Sequence, residues 1–309
     1  MENEKKQVIK YAKIKNTNKY GYIFIAPFFI VFAIFNFYPT LNTIYLSFQN
    51  IAGFQTEGIF IGLTNYINLL KNNLFIQSIK NTLILWTLNF IPQIVIAMLL
   101  AYWFTNSRLK LKGQTFFKSI FYLPNIITAA SVAVIFYALF SYPRGPINLL
   151  LIRLNILDSP YDFFRNVTFT RGLVAFIQFW MWYGQTAIVL ISGILSIDRS
   201  LYEAAEVDGA TPWQSFRKIT LPLLKPITVY VLITSLVGGL QMFDIPLLLT
   251  NGGPNGSVET VMTYIYKQAF QGGRNISIAA AASIYLLIIT SVLSLVIFYV
   301  IRDRKAKKA

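Results

Sequence analysis

Residues 81–107 read NTLILWTLNFIPQIVIAMLLAYWFTNS, without one Asp, Glu, Lys or Arg. A membrane-spanning helix needs about 20 mostly apolar residues, and this stretch has enough. The other stretches free of all four charged types are 20–56, 119–143, 172–197, 226–243 and 275–301. The first exceeds one span, and its apolar part is 21–47. The fifth is short, yet Val229–Leu249 is apolar apart from Asp244 near its end. None shows the alternation of an outer-membrane barrel strand, so the backbone must satisfy itself as helix. The expected fold is all-α and integral to the membrane, with six transmembrane helices across residues 21–300.

Composition agrees. The chain has 309 residues, 55% hydrophobic and 13% charged. A soluble domain carries about 25% charged residues, so this chain lacks the charge to cover a water-facing surface. There is no Cys and no His. That removes disulfides, thiol nucleophiles, Cys or His metal sites and histidine acid–base chemistry. No catalytic residue and no metal site is expected. There is also no G-x-x-x-x-G-K-[ST], and no Gly-Lys pair at all, so the chain forms no phosphate-binding P-loop.

The formal net charge is +15, and its placement matters more than its size. Lys5, Lys6, Lys10, Lys13, Lys15 and Lys19 precede the first span. Arg108, Lys110, Lys112 and Lys118 follow the second. Arg199, Arg217, Lys218 and Lys225 follow the fourth, and Arg302, Arg304, Lys305, Lys307 and Lys308 end the chain. The positive-inside rule puts these segments in the cytoplasm, so both termini are expected inside. Residues 1–20 and 301–309 read as cytoplasmic basic tails that touch anionic lipid, not nucleic acid. The N-terminal apolar run begins only after Lys19 and exceeds the ~7–15 residues of a signal core, so it is expected to stay as the first span. The external connections fall at about 48–78, 141–171 and 250–274, and none has the look of a soluble domain.

The connection between the fourth and fifth spans, about 198–224, reads as two short helices. Ser200 and Glu203 have capping-box spacing, which starts the first helix near Leu201. Gly209 suits the left-handed position that ends it. Thr211 and Gln214 form a second capping box, with Pro212 at the first helical position. Pro222 is expected to stop the second helix. Ala204 and Ala205 give the first helix a small, smooth face that a close-fitting partner could approach. The alternative is an amphipathic loop lying on the bilayer.

Glu203, Ala204 and Ala205, then Gly209, then Ile219, Leu221 and Pro222 match the EAA motif at every fixed position and spacing. This resembles the signature of permease subunits of ATP-binding-cassette (ABC) importers. The resemblance extends to Phe60 through Tyr66, Asn81-Thr82, Tyr122-Leu123-Pro124 and Gly145 through Asn148. Phe243 through Pro246, Leu249 through Pro254, Tyr264 through Tyr266 and Ala269-Phe270 are similar to the larger permease of maltose-type carbohydrate importers. It covers about residues 20–300, with the general family domain at about 77–298. The maltose permease has extra N-terminal spans and a large external domain that this chain lacks. The chain is closer to compact six-span multiple-sugar and glycerol-phosphate permeases.

That resemblance implies the type I ABC importer permease fold and a location in the bacterial plasma membrane. The motif would form the coupling helix, with Glu203 against an ATPase subunit and Gly209 making the turn. The implied partners are a second, homologous permease, two copies of a cytoplasmic ABC ATPase and an extracellular or periplasmic solute-binding protein. ATP and Mg would bind the ATPase, leaving this chain without a cofactor. Asn251, Gly252, Gly253 and Pro254 form a turn that the resemblance places against the binding protein; a plain loop turn is the alternative.

The substrate path is read from the residues. Sugars need uncharged hydrogen-bonding groups and flat aromatic faces. Gln178, Trp182 and Gln185 lie at i, i+4 and i+7, on one helical face of the fourth span. Polar groups in a membrane face protein or water, so this face lines either the path or a helix–helix contact. Gln241 is a similar candidate. Asp244 is a further one, with gating or packing as its alternative roles. The expected cargo is a di- or oligosaccharide, because no cation lies inside a span to greet a phosphate. Glycerol 3-phosphate or another polyol derivative is the alternative on the same machine. A secondary transporter would need intramembrane carboxylates beyond Asp244, and a membrane enzyme has almost no groups to work with.

Overall fold

The computed structural model describes residues 18–51, 58–106, 112–272 and 274–301. The basic residues expected at the termini from Lys5 to Lys15 and from Arg302 to Lys308 lie outside the described residues, as do Arg108 and Lys110. The described chain is helical apart from one two-stranded antiparallel ribbon, β1 (Gln49–Asn50) against β2 (Ile59–Phe60). Two units are distinguished, residues 1–45 and residues 46–309. The described part of the first is helix α1 (Asn18–Phe32), a π-helical turn at Ala33–Phe37 and the start of α2 (Tyr38–Ser47). Its exposed threonines fold back on the helix, Thr40 Oγ1 donating to the Asn36 carbonyl at 2.7 Å.

The second unit holds α3 (Thr64–Lys71), α4 (Asn73–Thr105), α5 (Gln114–Ile126), α6 (Ala129–Phe140), α7 (Pro146–Arg153) and α8 (Val167–Leu195). After these come α9 (Arg199–Val207), α10 (Pro212–Ser215), a π turn at Phe216–Thr220, α11 (Leu221–Leu223) and α12 (Lys225–Leu240). The last are α13 (Asp244–Thr250), α14 (Val261–Phe270) and α15 (Ile276–Ile301). Five helical runs among the described residues are long and apolar enough to cross a membrane: Tyr20–Ser47, Asn73–Thr105, Val167–Leu195, Lys225–Thr250 and Ile276–Ile301.

The third apolar stretch differs from the single span expected at 119–143. It is two helices, α5 and α6, bent by 89°. Ile127 and Thr128 are extended, and the Thr128 hydroxyl accepts the Ser131 N–H at 3.2 Å, so a new helix starts there. Pieces of 13 and 12 residues are each about 20 Å long, shorter than the ~30 Å hydrocarbon core. The described residues hold six candidate spans only if this broken pair counts as one.

α4 and α8 form the central pair and run parallel. Asn81 meets Arg171 near their starts, Gln93 meets Thr186 midway, and Phe104 and Ile194 share a buried cluster near their ends. α12 runs back against α4, Ser235 reaching Gln93. Small residues permit close approach, as in membrane bundles generally. Gly184 of α8 sits against the Phe121 carbonyl of α5, and Gly239 of α12 against the Trp86 indole of α4. A second region of apolar packing gathers Phe75, Leu236, Leu240, Tyr264 and Leu286 from α4, α12, α14 and α15.

Candidate functional site

The segment 198–224 leaves α8 at one end of this bundle. Its first helix starts earlier than the Ser200–Glu203 spacing suggests. Asp198 is the N-cap, its carboxylate accepting the Ser200 N–H at 2.9 Å. Hydrogen bonds from the Ser200 backbone and side chain hold the Asp198 carboxyl below the usual carboxylate range, so it stays charged where the helix dipole favours an anion. Glu203 is exposed and pairs with Arg199 at 3.1 Å. Gly209 has φ +76°. Its N–H donates to the Glu206 carbonyl at 3.0 Å, and the Ala210 N–H donates to the Ala205 carbonyl at 2.9 Å. These two bonds make a Schellman termination.

α9 has no buried residue. Its outward face carries Leu201, Ala204 and Val207, all exposed, while Ala205 is half-buried. The second helix starts as expected, with a complete Thr211–Gln214 capping box and Pro212 in its first turn. Pro222 does not stop it. The chain widens into the π turn, with the Leu221 N–H reaching the Phe216 carbonyl, and continues through α11 into α12. The wider turn gives room for a ring that would clash with a carbonyl four residues earlier in an α-helix. Ile219 and Leu221 are half-buried and Pro222 is exposed. Phe216 anchors the turn, buried with its ring 4.8 Å from that of Tyr102 on α4.

A cleft of about 160 Å³ opens where α4, α8 and α12 meet. Gln178, Trp182 and Gln185 all line it. Among the described residues, neither the Gln178 nor the Gln185 amide has a hydrogen-bond partner, and Trp182 is 46% exposed. Sequence reasoning missed the opposite walls, Asn89 and Gln93 of α4 and Tyr230 and Thr234 of α12. Gln93 is clamped, donating to Thr186 Oγ1 at 2.8 Å and accepting from Ser235 Oγ at 3.1 Å. The signal was present: Asn89 and Gln93 are polar at i and i+4 inside an apolar stretch, the same pattern that singled out α8. Gln241 and Asp244 are exposed and lie outside this cleft. They flank the break between α12 and α13, Gln241 as C-cap of the first and Asp244 in the first turn of the second.

The 251–254 turn lies at the other end of α4. Asn251 is exposed, Gly253 and Pro254 are half-buried, and Gly252 is buried, so Gly252 offers little surface to a partner. Lys267 ties the turn down, donating to the Asn251 carbonyl at 2.9 Å and pairing with Glu259 at 3.2 Å. Arg171 of α8, unremarked in the sequence, holds the next few residues. Its Nε donates to the Ser257 carbonyl at 3.0 Å and its Nη2 to Asn81 Oδ1 at 2.8 Å. Asn81 Nδ2 donates in turn to the Gly256 carbonyl at 2.7 Å.

The family of binding-protein-dependent transport system inner membrane components matches residues 58–308. The lactose transport system permease protein LacF of Rhizobium radiobacter is 31% identical over 287 residues, 92% of this chain and 95% of LacF. The arabinooligosaccharides transport system permease protein AraP of Bacillus subtilis is 35% identical over 279 residues, 89% of this chain and 86% of AraP. A chain from a bacterial alginate ABC transporter, solved in complex with an alginate pentasaccharide-bound periplasmic protein, superposes with a TM-score of 0.78 at 27% identity. That match covers 94% of this chain and 96% of the other.

Proposed function

Because this chain belongs to the family of binding-protein-dependent transport system inner membrane components, we propose that it forms half of the translocation path of an ATP-driven sugar importer. The cargo is a di- or oligosaccharide. A second, homologous permease supplies the other half, and a solute-binding protein delivers the sugar from outside. The bent pair α5–α6 serves as one broken span, which gives six spans and both termini in the cytoplasm. ATP and Mg belong to two ATPase subunits, since this chain has no P-loop. Glu203 and the outward face of α9 dock on one of them, and closure of the ATPase pair moves α9 and switches the path between two states. The exposed part of the 251–254 turn faces the binding protein.

The observation that carries the sugar reading is the cleft. Among the described residues, two amides without a hydrogen-bond partner and an indole line it, and no Lys or Arg does. Such a wall suits the hydroxyls and apolar faces of a neutral sugar better than a phosphate or an acidic sugar. Gln178→Ala, Trp182→Ala and Gln185→Ala are each expected to lower sugar transport roughly fivefold or more, the worth of one net hydrogen bond or ring contact. Concentration-dependent uptake into proteoliposomes holding the full complex reads this directly. Unchanged kinetics and selectivity for all three variants would remove the cleft from the path.

A further inference from the structure

A second cleft, of about 330 Å³, separates α9 from the ends of α4 and α8. Its walls include Tyr102, Ile194, Tyr202, Phe216 and Thr220. α9 therefore stands off from the bundle instead of packing into it, in keeping with its lack of any buried residue. A helix that must pass a displacement to the spans needs a stiff body and a stiff joint. The body is present: an Asp198 cap, an i,i+4 ion pair and a Schellman end. Side-chain packing across an open cleft gives no such joint.

We infer that the Tyr202 hydroxyl is that joint, working through Thr220. Tyr202 points inward from α9, opposite the exposed Leu201–Ala204–Val207 face, and crosses the cleft. Its OH lies 2.8 Å from Thr220 Oγ1, and either atom can be the donor. Thr220 is 2% exposed and ends the π turn, directly before α11 and α12. The bond links the middle of α9 to the base of α12, the helix that carries Tyr230, Thr234 and Ser235 into the substrate cleft. With it, motion of α9 is handed to α12 along a rigid phenol ring. Without it, α9 loses this tie to the base of α12 and can tilt further while α12 stays. Tyr202 and Thr220 are thus positioning residues, and neither need touch the ATPase or the sugar.

This inference rests on reading residues 198–224 as the coupling segment. The test uses the complete importer in proteoliposomes, with ATP hydrolysis and sugar uptake measured on the same vesicles. Tyr202→Phe removes the hydroxyl and keeps the ring. It is expected to leave hydrolysis at the wild-type rate and to reduce sugar moved per ATP by roughly fivefold, the effect of losing one net hydrogen bond. Thr220→Val should do the same, and the double variant should be no worse than either single one. Thr220→Ser keeps a hydroxyl and should restore the wild-type ratio. Unchanged sugar per ATP in both Tyr202→Phe and Thr220→Val, with wild-type vesicles coupled normally, overturns the joint and leaves the coupling segment standing. Wild-type vesicles with no ATP-dependent uptake would instead overturn the importer reading itself.

Discussion

Gly209→Pro abolishes ATP-driven uptake while the membrane bundle stays folded: that is the largest functional effect expected from a single change. Gly209 sits at φ +76°, where proline, locked near about −65°, cannot follow. Proline also deletes the N–H that donates to Glu206, and the turn that lets Ala210 reach Ala205 goes with it. The local cost is about 3 kcal/mol or more, enough to fray the last turn of α9. Nothing in α9 is buried, so the bundle does not share that cost. Gly209→Ala forces a side chain into the left-handed region at about 1–2 kcal/mol and should fall between wild type and proline. The check is uptake beside thermal stability of the purified complex. Uptake within about twofold of wild type in the proline variant would detach the EAA loop from transport, given the tenfold per 1.4 kcal/mol that such losses imply.

The largest structural effect is expected at Gly184. A Cβ there would overlap the Phe121 carbonyl of α5. That neighbour is backbone and cannot swing aside, so Gly184→Ala must push α5 off α8. Overpacking of this kind costs about 1–3 kcal/mol and occasionally more, and valine should be worse. Gly172, in the same helix, has nothing within 4 Å of its Cβ position beyond its chain neighbours and its own helix backbone, and serves as the control. Gly172→Ala should be neutral or slightly stabilising, because alanine favours helix by about 1 kcal/mol over glycine. The midpoint of heat-induced aggregation in detergent separates the two. Equal midpoints for the two alanine variants would contradict the close α5–α8 contact.

The spans were legible because charge-free runs of sufficient length have few other solutions in lipid. The break at Ile127–Thr128 was not, because the run stays free of charge through it and Pro124 is accommodated inside α5; Thr128 and Ser131, spaced as a cap, mark the new start. Pro222 was misjudged because a proline usually ends a helix, and the π turn that admits this one has no sequence signature. Asp198 and Ser200 can both cap, and the choice between them depends on backbone angles the sequence does not show. The face of Gln178, Trp182 and Gln185 was readable from its spacing, and Asn89 and Gln93 of α4 carry the same i, i+4 signal; that both meet Tyr230 and Thr234 of α12 needed the packing of three helices. The Arg171 clasp was hidden for a simpler reason: an arginine at the edge of an apolar run reads as a boundary. The Tyr202–Thr220 bond joins residues 18 apart across a cleft, which no periodicity predicts.

If this chain carries saccharide across the membrane as part of an ATP-driven importer, cells without it lose uptake of that saccharide. The most direct measurement is uptake of a labelled panel by cells with and without its gene. The panel holds several di- and oligosaccharides, glycerol 3-phosphate and a few amino acids, each tested with ATP present and depleted. Selective, ATP-dependent loss of one saccharide class is the predicted result. Loss confined to glycerol 3-phosphate or to amino acids, with every saccharide untouched, would contradict it.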